Sequence, residues 1–219
     1  MNDRALTPPS QKSGGHKDIR RDLLLIAEMV APKSRLLDVG CGDGALLEYL
    51  AREKDVDGRG IEIRQSGVNA CVARGLSVIQ GDADTDLPDY PDAAFDYVVL
   101  SLTLQATKNP RKVLHEMLRI GRRAIVSFPN FAYWPVRLQL LLRGRMPMTA
   151  ALDDPWYDTQ NIHLCTILDF DDLCARDGIV VEQRIAVDGK GNREGWKLQG
   201  NLANIFGAQA VYLLRRRGA

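Results

Sequence analysis

Arg35-Leu36-Leu37-Asp38-Val39-Gly40-Cys41-Gly42-Asp43-Gly44 runs from a short apolar strand directly into three spaced glycines. Glycines let a backbone turn tightly and lie close to a ligand. A helix is expected from Gly44 to about Lys54, with Leu46, Leu47 and Leu50 inward. Its free N-terminal amides aim at the same turn. Strand, glycine turn and helix together open an α/β sheet. Such sheets bind ligands beyond the carboxyl ends of their strands, where strand order reverses.

Outward from this turn the alternation continues. Upstream, Ile19, Leu23, Ile26 and Val30 fall at helical spacing within residues 18–30. Downstream, strands are expected at 58–63, 76–80, 95–101 and 122–128. A helix at 65–74 turns Val68 and Val72 inward and ends at Gly75, a natural C-cap. Another, at 110–120, starts on Asn109 and Pro110. Apolar strands alternating with helices argue for a parallel sheet covered on both faces. The alternation stops at residues 129–165, where Pro129, Pro135, Pro147 and Pro155 fall, with an amphipathic stretch around 136–142. This segment reads as an insertion over the C-terminal edge of the sheet. A helix at 166–177 capped by Thr166, a strand at 179–187, a Gly- and Asn-rich loop at 188–204 and a strand at 208–215 complete the chain. The expected organisation is a flexible tail, 1–17, and one domain, 18–219.

Composition removes several function classes. The chain has 219 residues, 45% hydrophobic and 26% charged, an ordinary globular mixture. A net charge of +1 gives no reason to expect nucleic acid or an anionic membrane. Leu138-Gln139-Leu140-Leu141-Leu142 is far too short to span a bilayer, and the N-terminus lacks the apolar stretch of a secretory leader. A cytoplasmic protein is expected. Cys41, Cys71, Cys165 and Cys174 have no zinc-like spacing, so no metal site is expected.

The glycine turn admits two ligands. Gly40-Cys41-Gly42-Asp43-Gly44-Ala45 fits the dinucleotide fingerprint, with Glu62 at a suitable distance. Three features favour an adenosyl sulfonium. Asp38 suits a ligand carrying an ammonium and a sulfonium and would repel a pyrophosphate, and Asp43 adds to that repulsion. Asp82, in Gly81-Asp82-Ala83-Asp84, can accept from an adenine amino group. Phe95-Asp96-Tyr97-Val98-Val99 leads to Ser101, a polar strand end beneath the ligand. Glu62 has two oxygens for the two ribose hydroxyls. The expected cofactor-binding set is therefore Asp38, Gly40, Cys41, Gly42, Glu62, Ile63, Asp82, Ala83 and Ser101, with Cys41 in a steric role. Plainer alternatives stand beside these: Asp38 braces the turn, Asp82 is a turn residue, Ser101 is a loop hydroxyl. No residue is assigned to catalysis with assurance. His163 is the one histidine placed to act as a base, and a lone histidine is more often a structural hydrogen-bonding residue.

The ordered set Leu37-Asp38-Val39-Gly40-Cys41-Gly42-Asp43-Gly44, Gly60-Ile61-Glu62, Gly81-Asp82 and Phe95-Asp96 resembles the class I S-adenosylmethionine-dependent methyltransferases. The resemblance implies a doubly wound, mostly parallel seven-stranded sheet whose last strand, 208–215, is antiparallel. It also implies S-adenosylmethionine or S-adenosylhomocysteine as cofactor. Longer segments, at 75–82, 101–107, 122–131, 137–147 and 156–166, resemble the methionine-biosynthesis family MetW. That likeness extends from about residue 18 to 190. Arg64 departs from the pattern, since an acidic residue is expected two positions after Glu62. The family is associated with methionine synthesis as a partner of homoserine O-acyltransferase (MetX), which implies an accessory or regulatory role. A homodimer is compatible with this reading. Two alternatives remain: an active methyltransferase acting on a small metabolite, and an NAD-dependent oxidoreductase using the same turn.

Overall fold

The computed structural model describes residues 19–149, 152, 154–188 and 200–218. The expected tail, 1–17, lies outside the described residues, as does most of the loop expected at 188–204. The strands are β1 Arg35–Val39, β2 Asp57–Glu62, β3 Ser77–Gln80, β4 Phe95–Ser101, β5 Gly121–Pro129, β6 Ile179–Val187 and β7 Gln209–Arg216. They form one sheet in the order β3-β2-β1-β4-β5-β7-β6. β7 runs antiparallel to both β5 and β6, and the remaining neighbours pair in parallel. The doubly wound, seven-stranded sheet with its antiparallel last strand is thus present.

Strand order reverses at β1. From it the chain goes outward through β2 and β3, then returns to place β4 on the other side. The carboxyl ends of β1 and β4 are therefore the switch point where a crevice opens. Adjacent side chains of β1 serve opposite faces, as the two-residue period of a strand requires. Leu37 and Val39 pack with Leu100, Leu114 and Phe128 on one face. Leu36 packs with Ile26, Leu47 and Leu50 on the other. Asp38 shares the second face.

Helices cover both faces: α1 Arg21–Met29, α2 Ala45–Lys54, α3 Gln65–Ala73, α4 Pro110–Ile120, α5 Trp134–Arg143, α6 Ile167–Arg176 and α7 Asn201–Phe206. α4 starts where expected, with the Asn109 side chain accepting from the Lys112 amide at 3.1 Å and Pro110 in the first turn. α6 begins on a capping box between Thr166 and Asp169. Three local expectations need correction. In α3 the inward partner of Val68 is Cys71, while Val72 faces solvent. Part of the expected 188–204 loop is α7, whose buried Asn204 accepts from the Ile167 amide at 3.1 Å and ties the helix to α6. In α5 only Val136 is buried. Leu138 and Leu140 are exposed, and Leu141 and Leu142 are 80% and 72% exposed. The amphipathic stretch expected around 136–142 thus turns its leucines to solvent, beside the exposed Arg137 and Arg143.

The inserted segment is anchored at its exit. The Ile162 and His163 amides both donate to the Gln105 carbonyl at 2.9 Å, and the Phe131 amide donates to the Cys165 carbonyl at 3.0 Å. These bonds hold it against the loop after β4, at the C-terminal edge of the sheet.

Candidate functional site

A cleft of about 1050 Å³ opens beyond β1 and β4, with Asp38, Gly40, Cys41, Gly42 and Ser101 in its wall. The glycine turn is fixed by its own amides. Gly40 and Cys41 both donate to the Ile61 carbonyl, at 2.8 and 3.1 Å, and Gly44 donates to the Cys41 carbonyl at 2.9 Å. Gly44 has φ +80°, and a Cβ there would stand 2.4 Å from Leu76 Cδ1 and 2.9 Å from Cys71 Sγ. No larger residue fits at this helix start without strain. Over Gly42 nothing lies within 4 Å of the same imaginary Cβ, so that side of the turn is open to a ligand.

Two buried carboxylates lie under the turn, each only 3% exposed. Glu62 is clasped. Its Oε2 accepts from the Gly42 amide at 2.9 Å, and its Oε1 accepts from the Arg64 amide at 2.9 Å and from Arg64 Nε at 3.3 Å. An ionised carboxylate offers about four lone-pair positions. Three are occupied, so the two ribose bonds expected for Glu62 require Arg64 Nε to withdraw.

Asp38 is the opposite case. No hydrogen-bond donor among the described residues reaches its carboxylate. Burial pushes its pKa from 3.8 up to about 7, the charge of Glu62 adds to the rise, and Arg20 opposes it. A buried carboxylate without a donor is costly. Its position fits a cationic ligand group that supplies the missing partner.

The remaining expected residues are distributed around this centre. Cys41 lies beside Cys71, Sγ to Sγ 3.9 Å, and burial pushes its thiol pKa well above the usual range. An uncharged thiol that fills space accords with a steric role. Ile63, next to Glu62, is 59% exposed, an apolar side chain presented at the strand end. Ser101 Oγ accepts from Ser127 Oγ at 3.3 Å. Asp82 and Ala83 stand at the end of β3, outside the wall of this cleft. Asp82 heads a turn, its Oδ1 accepting from the Asp84 amide at 2.9 Å. His163 does not enter the wall either. Its Nε2 lies 3.3 Å from the Lys108 carbonyl oxygen.

The cleft wall also holds residues outside the expected set, among them Arg20, Leu102 and Thr103. Leu102 has φ +50°, a left-handed conformation that costs a branched residue about 1–3 kcal/mol. It is held there by its amide, which donates to the Ser127 carbonyl at 3.0 Å and to Ser127 Oγ at 3.1 Å, and by its carbonyl, which accepts from Gln105 Nε2 at 2.8 Å. A Cβ on Gly40 would approach Thr103 Oγ1 to 2.9 Å, so the loop after β4 closes tightly on the turn after β1. Nothing in the local sequence pattern signals a positive φ at a leucine. Arg20 lies off the apolar stripe of α1 and reaches the cleft only through the packing of that helix.

Residues 20–214 match the family described as methionine biosynthesis protein MetW. The chain is 38% identical over 172 residues to the bifunctional methionine biosynthesis protein MetXA/MetW of Rhodopirellula baltica, covering 74% of this chain and 28% of that one. It therefore spans less than a third of that relative. Among solved structures, a methyltransferase of Thermotoga maritima, described as S-adenosylmethionine-dependent and a possible histamine N-methyltransferase, superposes with a TM-score of 0.61 at 18% identity, covering 89% and 87% of the two chains. The [4+2]-cyclase SpnF superposes with a TM-score of 0.62 at 20% identity, covering 90% and 80%. The fold is thus that of class I methyltransferases. Because a cyclase shares it, the fold does not specify the reaction.

Proposed function

The chain belongs to the MetW family of methionine-biosynthesis proteins, and from that premise we propose that it binds S-adenosylmethionine or S-adenosylhomocysteine in the β1–β4 cleft and acts with homoserine O-acyltransferase. One observation carries the ligand reading: Asp38 is buried at the switch point and has no protein donor among the described residues. The ammonium of the ligand's amino-acid end supplies that donor. Glu62 faces the ribose once Arg64 Nε withdraws, Ile63 offers an apolar face to the adenine, and Asp82 accepts from its amino group. The cleft volume suits a ligand of this size. A dinucleotide would bring a pyrophosphate against Asp38 and Glu62. When bound, the cofactor supplies an electrophilic methyl group on sulfur. The residues of this chain orient it and exclude water.

The partner reading is supported by the Rhodopirellula baltica relative, which bears both MetXA and MetW in its name. Binding a downstream product of the pathway makes feedback natural, provided the ligand favours one state of the complex. The test is reconstitution. Homoserine acylation is measured with the acyltransferase alone, with this protein added, and with S-adenosylmethionine added to both. A rate that depends on this protein, and further on the ligand, is expected. Acylation indifferent to both refutes the partnership.

A second reading, an active methyltransferase on a small metabolite, has its own support. Gln105 Oε1, on the loop after β4, is buried and has no hydrogen-bond partner among the described residues. Such a group calls for a donor, and a substrate hydroxyl or amine is one. Methyl transfer needs little beyond in-line positioning of that acceptor. No described helix is long and apolar enough to cross a membrane, and no group of metal-binding side chains occurs among the described residues.

A further inference from the structure

An α-amino acid carries its ammonium and its carboxylate on one carbon. The group that receives the first must therefore stand close to the group that receives the second. If Asp38 takes the ammonium, as proposed above, a cation beside Asp38 has to take the carboxylate.

The cleft wall contains four arginines: Arg20, Arg52, Arg64 and Arg74. Three have other commitments. Arg74 is held between Asp43 at 3.0 Å and Glu48 at 3.1 Å. Arg52 pairs with its neighbour Glu53 at 2.7 Å, on the last turn of α2. Arg64 belongs to Glu62, at the ribose end. Arg20 is different in kind. Its Nε and Nη2 bind the two oxygens of Asp22 at 3.2 and 2.9 Å, side by side. The Asp22 side chain is almost wholly buried, and the guanidinium is mostly exposed. A buried carboxylate thus fixes the orientation of an exposed fork, whose Nη1 has no partner among the described residues. Arg20 is also the one cation among the influences on Asp38, where it favours the charged form.

We infer that Arg20 receives the α-carboxylate of the ligand's amino-acid end through Nη1, and that Asp22 is its positioning residue. The inference rests on the cofactor reading above. It assigns to that site a residue that lies 18 positions before Asp38, outside the glycine turn. The guanidinium holds a carboxylate in a planar, charge-assisted contact. Ligands that lack the amino-acid end gain nothing from it.

Two ligands separate this role from general support of the fold. S-adenosylhomocysteine has the amino-acid end, while 5′-methylthioadenosine keeps the adenosine and the sulfur without it. Both are titrated by calorimetry into the full-length protein and into the Arg20→Ala, Arg20→Lys and Asp22→Asn variants. Arg20→Ala is expected to weaken S-adenosylhomocysteine by roughly 10- to 100-fold and to leave methylthioadenosine unchanged. Arg20→Lys and Asp22→Asn should fall between, again for the first ligand only. They carry the test if Arg20→Ala does not fold. Equal losses for both ligands, or no loss for either, overturn the assignment while the cofactor reading stands. A wild-type protein that binds neither ligand overturns both.

Discussion

Replacing Asp38 by asparagine should make the free protein more stable and the ligand complex weaker. The carboxyl of Asp38 has a pKa of about 7 in the fold against 3.8 in an unfolded chain. The folded state therefore binds its proton more tightly. Below about pH 4 both states are protonated and burial of the charge costs nothing. As pH rises from there to about 7, the unfolded chain ionises first and stability falls. Above about 7 the full penalty is present, about 4 kcal/mol at ~1.36 kcal/mol per pH unit. Asparagine keeps the shape and removes the charge. Its own amide must be desolvated, at a cost of roughly 1–3 kcal/mol. A net gain of about 1–3 kcal/mol at pH 8 remains, which for a chain of this size raises the melting temperature by roughly 3–10 °C. The gain should shrink by about 2 kcal/mol between pH 7 and pH 5, because the wild-type penalty is shrinking. In the complex the sign reverses. Losing a charge-assisted bond to the ligand's ammonium should weaken S-adenosylhomocysteine about 10-fold or more. Thermal melts of both proteins at pH 5, 6, 7 and 8, without and with S-adenosylhomocysteine, check every part. A variant that melts below wild type at pH 8, by an amount independent of pH, refutes the reasoning. It would mean that Asp38 is ionised and paired within the protein.

Wild-type affinity for S-adenosylhomocysteine should drop between pH 8 and pH 6 by up to about 10-fold, as Asp38 takes up its proton. Calorimetry across that range reads it, and a flat profile contradicts it. Glu62→Ala should weaken the same ligand about 10-fold or more and also loosen the glycine turn, since the Gly42 amide loses its acceptor. Faster hydrogen exchange at residues 40–44 without ligand would show the second effect, and unchanged exchange would remove Glu62 as the clasp. Gly44→Ala forces a Cβ to 2.4 Å from Leu76 Cδ1 at φ +80°. It should cost about 1–3 kcal/mol in a denaturant melt, and a neutral result would mean that the turn relaxes freely. On α5 and just beyond its end, reversing the charge of Arg137, Arg143 and Arg145 together with Leu141→Asp should abolish co-purification with the acyltransferase. Exposed apolar surface rimmed by arginines is the composition of interface anchors. A retained complex would place the contact elsewhere.

Much of the architecture was legible in sequence because its signals are local. Apolar runs fix strands, the Asn109-Pro110 and Thr166 starts fix helices, and three glycines after an apolar strand fix the turn. The acidic residues at 38 and 62 were legible as chemistry for the same reason, since Asp38 is the last residue but one of β1 and Glu62 ends β2, both beside that turn. Packing decided the rest. Whether a leucine on α5 faces inward depends on what lies beneath it, and only Val136 finds a core. α7 escaped notice because its buried Asn204 looks polar in sequence and becomes a core residue only by bonding to α6. The difference between Asp38 and Glu62 is wholly tertiary. Both are buried carboxylates, but Glu62 meets the amides of Gly42 and Arg64 while no donor among the described residues reaches Asp38. Arg20 enters the cleft because α1 packs against α2 and β7, across a loop whose length says nothing of where the helix will lie. The sequence alone determined the chemistry offered at the glycine turn and at positions 38 and 62, because residue type sets chemistry. The tertiary structure decided which of them is already satisfied and which still awaits a partner, because satisfaction depends on distances between segments remote in the chain.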